Sequence, residues 1–328
     1  MTLPPPDHPT PAAEPAELHP NSGTVTAIDS GRTPAAAHLV LGTQVAALRR
    51  GAGLSVEEVA EATGLKDTTI HRIESAFQPP DWRHVHALME HYGVDDIDVM
   101  GAIAFLDEAS SHDAGAMDVS SGRHTRLRTC ELEAQHIRSY QSRLIPHALR
   151  SEQYAASVAR LPTAQGLDRA QPPLPEPRPG QTATFLLDEA LLYHVTTCPG
   201  VLAEQMDHLL TMSLSGAAMV RVVLMRTVVG RPGPNATELY YGPQRRQRLI
   251  CTEDASALVY YADRLGDSLH LQLERVEEAA LSPEESRVHI GAAKERFNKQ
   301  PRQPRRASPR PQPLRALTAV PDCGEREA

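Results

Sequence analysis

The stretch from Ser55 to Glu74 constrains this chain more tightly than any other. Ser55 is followed three residues on by Glu58, the pairing of a capping box, in which the two side chains take up backbone N–H groups that a first helical turn leaves free. Val59 gives the helix that follows an apolar face. Gly64 then stands where a chain leaving a helix needs a positive φ, a conformation open to glycine because it has no Cβ. Leu65, Ile70 and Ile73 pin a second short helix onto a core, and Ala60 is small where the second helix has to cross the first. Ala60, Gly64, Ile70 and Ile73 together predict two short helices joined by a tight turn, a helix-turn-helix. The plainer alternative is a helical hairpin with no ligand, which seldom meets all four constraints.

The flanks complete a small helical domain. Leu39 to Ala52 carries Val45 and Leu48 at helical spacing and stops at Gly53; Asp81 caps a helix bearing Val85, Leu88 and Met89, stopped by Gly93; Asp96 to Ala109 carries Val99, Ile103 and Leu106. Five helices over residues 39 to 109, with the motif in the second and third, resemble the Xre/lambda-repressor-like family. The resemblance implies a pair between Arg49 and Glu74 that orients the first helix against the end of the third. In a helix-turn-helix the N-terminal turn of the second motif helix enters the DNA major groove. Lys66, Asp67, Thr68, Thr69, His71 and Arg72 are therefore the candidate readers of double-stranded DNA. Arg72 has the fork for guanine O6 and N7, Asp67 can accept from cytosine N4, and Thr68 can meet a thymine methyl or a phosphate. The competing reading makes Asp67 a helix-N-terminus anion and Arg72 a solvated cation. Val56 departs from the family, standing where a glutamine often contacts the DNA. Residues 39 to 109 hold five Lys or Arg against twelve Asp or Glu, so positive potential has to be localised for phosphate binding.

The remainder of the 328 residues suits one more folded domain between disordered tails. The expected fold class is an all-α five-helix DNA-binding domain followed by an α+β effector domain. The expected boundaries are an arm at 1–37, the helix-turn-helix domain at 38–109, a polar linker at 110–125, the effector domain at 126–298 and a basic tail at 299–328. From Lys294 to Arg315 eight Lys or Arg face only Glu295 in a proline-rich stretch, which reads as a phosphate-binding arm or a solvated tail. Cys130, Cys198, Cys251 and Cys323 form no C-x-x-C pair and suit free thiols of a reducing compartment. No run approaches the ~18 apolar residues of a membrane span, so a cytoplasmic protein without a membrane partner is expected.

In the second domain the pattern predicts helices over Cys130–Tyr140, Ser151–Leu161 and Val201–Leu214. Strands are predicted at Ala183–Leu187, Met219–Met225, Leu239–Tyr241, Arg248–Thr252, Ala257–Tyr261 and Ser268–Leu271, and a last helix starts at the capping box of Ser282 and Glu285. Glu131-Leu-Glu-Ala, Ile137-Arg-Ser-Tyr, Ile145-Pro-His-Ala-Leu, Leu187-Asp-Glu-Ala-Leu-Leu and Glu204-Gln-Met-Asp-His-Leu-Leu, in that order, resemble the DUF5753 or Scr1-family antitoxin-like domain of actinomycete regulators. That resemblance implies a transcriptional regulator whose second domain receives a signal, often a small partner protein encoded nearby, and the chain is expected to act as a homodimer. The alternative is an antitoxin-like interaction protein that sequesters such a partner, with DNA binding secondary. No H-E-x-x-H, G-x-S-x-G or glycine-rich phosphate loop occurs, and His84 and His86 lie two apart on different sides of a helix. No enzyme, metal or cofactor is expected. A ligand pocket lined by Tyr193, Tyr240, Tyr241, Tyr260 and Tyr261 is set against ordinary packing of those rings.

Overall fold

A computed structural model describes residues 35–77, 79–110, 115–160, 180–227, 229–242, 247–253, 257–262 and 264–300. The N-terminal arm, the proline-rich stretch before Gly180, Cys323 and the tail beyond residue 300 lie outside them.

Five helices come first: α1 (Ala36–Gly51), α2 (Val56–Thr63), α3 (Asp67–Glu74), α4 (Trp82–His91) and α5 (Asp96–Ser110). Val45, Val56, Val59, Ile70, Ile73 and Leu88 form the core of the motif. Val56 is only 7% exposed, so its departure from the family places an apolar side chain in that core. From Ala36 to Ala46, α1 is buried at every position but His38. A helix buried all round needs protein on both sides, and the second side is supplied by the rest of the chain.

That remainder is a seven-stranded sheet, β1 (Ala116–Asp118), β2 (His136–Gln141), β3 (Thr182–Asp188), β4 (Met219–Val223), β5 (Asn235–Tyr241), β6 (Gln247–Glu253) and β7 (Leu258–Tyr261), in the order β1-β7-β6-β5-β2-β3-β4. The β2-β3-β4 pairs are parallel and all others antiparallel. Its helices are α6 (Arg123–Glu133), α7 (Glu152–Val158), α8 (Pro199–Ser215), α9 (Arg264–Ala279) and α10 (Pro283–Lys299).

One sheet face carries two apolar cores. Ile137, Leu239, Leu249, Cys251 and Tyr260 join residues of α1, α5 and α6 in the first, so the helix-turn-helix half is packed directly on the sheet. Phe185, Leu187, Val220 and Val222 join α7, α8 and α10 in the second. The opposite face is covered by α9 through Leu273 and Val276, with Ala280 just beyond the helix end. There Glu238, wholly buried, accepts from Arg138 and pairs with His270. Both sheet edges are protected, as free strand edges must be. Val222 of β4 donates to Ser286 Oγ and accepts from Leu281 N–H, and β1, three residues long, lies under α5.

Three expectations are corrected. Cys130–Tyr140 is not one helix: α6 ends at Glu133, and β2 is a central strand whose Arg138, Ser139 and Tyr140 are all buried, which removes the alternation that marks a half-exposed strand. Ser268–Leu271 belongs to α9, whose inward residues Leu273 and Val276 keep helical spacing that a four-residue window hides. Residues 110–125 hold β1 and the start of α6. Among the described residues of this stretch, the Asp118 carboxylate, Ser120 Oγ and the Ser121 carbonyl accept hydrogen bonds from the buried Arg126, which makes them a binding shell rather than a linker.

Candidate nucleic-acid interface

The capping box forms as the sequence predicts: Glu58 N–H donates to Ser55 Oγ at 3.1 Å, and Ser55 N–H to Glu58 Oε2 at 2.8 Å. Gly64 ends α2 at φ 71°, with its N–H on the Ala60 carbonyl. Lys66 precedes α3 in an extended conformation, and Ile70 and Ile73 turn the helix inward.

Arg49 fixes how the third helix sits. Its guanidinium meets Glu74 in a two-pronged pair at 2.7 and 2.8 Å and also donates to the Leu54 carbonyl at 2.9 Å, tying α1, the turn before α2 and the end of α3 together. The Glu74 hydrogen bond holds the Arg49 pKa above its ordinary value. Both side chains are mostly buried, 14% and 10% exposed, so the pair is worth more than a solvated surface one.

Ala60 is only partly buried against the motif core. A tight backbone crossing is found instead at Gly42 of α1, where a Cβ would collide with the Ile73 carbonyl and lie 3.1 Å from that of Glu74. Its trace in the sequence is a lone glycine inside an otherwise helical apolar run, the pattern that signals close packing.

With α3 seated this way, Lys66, Asp67, Thr68, His71 and Arg72 are exposed and Thr69 is partly so. All six expected readers thus lie on α3 or its N-cap, five of them outward. Several acids that weighed against phosphate binding have structural work elsewhere: Glu58 and Asp81 cap helices, Glu74 holds Arg49, and Asp98 accepts from Ser121 Oγ at 3.0 Å. Glu57 and Glu61 remain on the exposed side of α2. Beyond α3 the chain presents Phe77, 58% exposed, and Trp82, 51% exposed, with Arg83 stacked 5.4 Å from the indole ring. The only tryptophan of the sequence, just after Pro79-Pro80, was the available sign of this flank.

The tyrosines do not converge. Tyr241 and Tyr260 are core, Tyr240 lies on the opposite sheet face, and Tyr193 is exposed beneath Arg296 at 4.2 Å. Of the basic run from Lys294, the first residues belong to α10: Lys294 pairs with Asp207 at 2.6 Å and Arg296 binds the Leu192 carbonyl. Among the described residues no cluster of His, Cys, Asp or Glu is arranged to hold a metal, and no helix is long and apolar enough to cross a membrane.

The motif, its cap and its buried arginine-glutamate brace define a helix-turn-helix protein, and residues 40–99 match the family described as helix-turn-helix domain. Residues 124–292, more than half of the chain, match the family described as domain of unknown function DUF5753, and the chain belongs to that family. Neither a curated protein nor a solved structure matches it.

Proposed function

We propose that this chain is a cytoplasmic, sequence-specific transcriptional regulator of the Xre type. It binds DNA as a homodimer through Lys66, Asp67, Thr68, Thr69, His71 and Arg72, and takes a signal through its DUF5753 domain without catalysing a reaction. The observation that carries this reading is the outward face of α3: Lys66 and Arg72 are exposed and, among the described residues, outside every ion pair, whereas Arg49 and Arg50 are tied to Glu74 and Glu133. Two cations at the start and middle of a recognition helix localise the positive potential that an acidic domain otherwise lacks. Ile97 and Met100, 72% and 59% exposed on α5, support association of two copies. Two half-sites then lie about one turn, ~34 Å, apart.

Glu57 and Glu61, exposed on the helix that spans the phosphates in such a complex, favour the second reading, an antitoxin-like protein whose main task is holding a small partner. Selection of duplexes from a random pool, followed by anisotropy titration of the enriched site, separates the two. The first reading expects a pseudo-palindrome, and Arg72→Ala should lose ~1–3 kcal/mol and relax one base pair. No enrichment supports the second; an unchanged logo for Arg72→Ala removes that residue from the readout.

A further inference from the structure

The two apolar cores on one sheet face are separated by a polar seam. Helices cover this face on both sides, which calls for apolar side chains on its central strands. Yet at the middle of the sheet the inward positions are Ser139 and Gln141 of β2, Asn235 and Thr237 of β5 and Glu253 of β6. The register aligns Ser139 with Thr237 and Gln141 with Asn235. Ser139, Thr237 and Asn235 are 2%, 8% and 7% exposed. They hydrogen-bond among themselves, Ser139 Oγ to Thr237 Oγ1 at 2.9 Å and Gln141 Nε2 to Ser139 Oγ at 3.1 Å. Asn235 Oδ1 accepts from Glu253 N–H at 2.7 Å, so this polar floor is satisfied within itself, as burial under helices requires, and above it is a cavity of about 80 Å³. At ~10–15 Å³ per water-sized site, that is room for several waters or one small molecule.

The walls carry both charges. Glu131 of α6, only 6% exposed, faces His147 of the opposite bank with Oε2 and Nε2 3.0 Å apart, and Glu253 lies at the floor's edge. Arg150 and, at the mouth, Arg143 bring two guanidiniums. The formal charges of Glu131, Glu253, Arg143 and Arg150 cancel, so a ligand with net charge leaves an uncompensated one behind, whereas a ligand carrying both signs does not. Leu127, Val158 and Phe185 add an apolar wall.

The α6 helix is also the partition between this cavity and the DNA-binding half. His124, Leu127 and Glu131 recur at helical spacing on the cavity side. Arg126, Cys130 and Glu133 occupy the opposite side, where Arg126 stacks on Phe105 of α5, Cys130 enters the core shared with α1, and Glu133 pairs with Arg50 of α1 at 2.6 Å.

We propose that this cavity binds a small zwitterion, an α-amino acid with a short apolar side chain, its ammonium taken by Glu131 and Glu253 and its carboxylate by Arg143 and Arg150. Occupancy is passed to α1 through α6. The second statement rests on the regulator reading above; the first does not.

The test is calorimetric titration of the full-length protein with each of the twenty L-amino acids, followed for any binder by its des-amino acid and its decarboxylated amine. One site per chain is expected, with both analogues weaker by about tenfold or more, because each loses a charge-assisted hydrogen-bond partner. Glu131→Gln should weaken binding similarly, and Thr237→Leu, which fills the cavity from its floor, should abolish it. If Thr237→Leu does not fold, Glu131→Gln and the two analogues carry the test alone. Absence of binding by all twenty, or binding indifferent to these changes, overturns the site. DNA affinity should shift about fivefold or more on saturation; an unchanged affinity overturns the coupling, while a protein that binds amino acid but no DNA sinks the regulator reading and leaves the site standing.

Discussion

Arg126 and Asp118 form a doubly hydrogen-bonded pair, at 2.8 and 2.9 Å, in which neither side chain touches solvent. It joins α6 to β1 where the helix-turn-helix half meets the sheet, and Phe105 of α5 lies against the guanidinium at 5.6 Å. Asp118→Ala strands a buried cation, so it should cost ~3–5 kcal/mol, whereas replacing both residues by apolar ones of similar volume should cost less than either single change. Urea denaturation of the three variants checks this. Because one core spans both halves, the wild-type chain should unfold in a single transition by every probe, and a double change costlier than both singles would show that the pair is not the source of the loss.

Gly42 makes a separate prediction about the motif. A methyl group there meets two backbone carbonyls of α3 that cannot rotate away, so Gly42→Ala should destabilise by ~1–3 kcal/mol and weaken DNA binding as α3 shifts. Gly291→Ala is the control. That glycine lies inside α10 with nothing near its absent Cβ, and the change should stabilise by ~0.5–1 kcal/mol. Equal effects at the two glycines would mean that α1 and α3 are not in tight contact.

These residues also mark what the sequence makes legible. Ser55, Glu58, Gly64, Ile70 and Ile73 were readable because caps, turns and apolar period are local, and the strands from Ala183 and Met219 were readable as apolar runs, whereas the Arg49–Glu74 brace, 25 residues apart, was available only through the family resemblance. Asp118, Ser120 and Ser121 were not. Their polarity looks like solvation until the fold brings partners to it: the buried arginine eight residues from Asp118 takes the Asp118 carboxylate and Ser120 Oγ, and Ser121 Oγ donates to Asp98. The seam of Ser139, Thr237 and Asn235 was hidden for the same reason, since its neighbours come from strands that pair only in the folded sheet. Ser139 and Thr237 are 98 residues apart.

Thiol chemistry reports on the same packing. Cys130 and Cys251 are buried, and burial pushes the Cys130 thiol up to about 12 and Cys251 well above its ordinary value, while Cys198 is exposed. The thiolate is the reactive species. In a Cys323→Ser background a thiol reagent at neutral pH should therefore label Cys198 promptly and the other two only as fast as the chain opens. Prompt labelling of Cys130 would show that α6 separates readily from α1, against the shared core described above.

Stability against pH isolates His38. Partial burial in α1 holds its imidazole below the ordinary 6.5. As pH falls through 6.5 the unfolded chain takes up a proton there while the folded chain stays neutral. The unfolded state then binds more protons, so stability rises with pH across this window. The His38 contribution is level above 6.5, declines as acid brings the pH down toward the depressed folded value, and levels again below it. Glu57, Glu284 and Glu285, whose pKa values are lowered from 4.5 chiefly by backbone hydrogen bonds at helix starts, act only at lower pH. Denaturation midpoints measured from pH 7.5 to about 5 for the wild type and His38→Gln should differ in slope, the wild type losing stability faster on acidification. Parallel curves would show that the ring is protonated as easily in the folded chain as in the unfolded one.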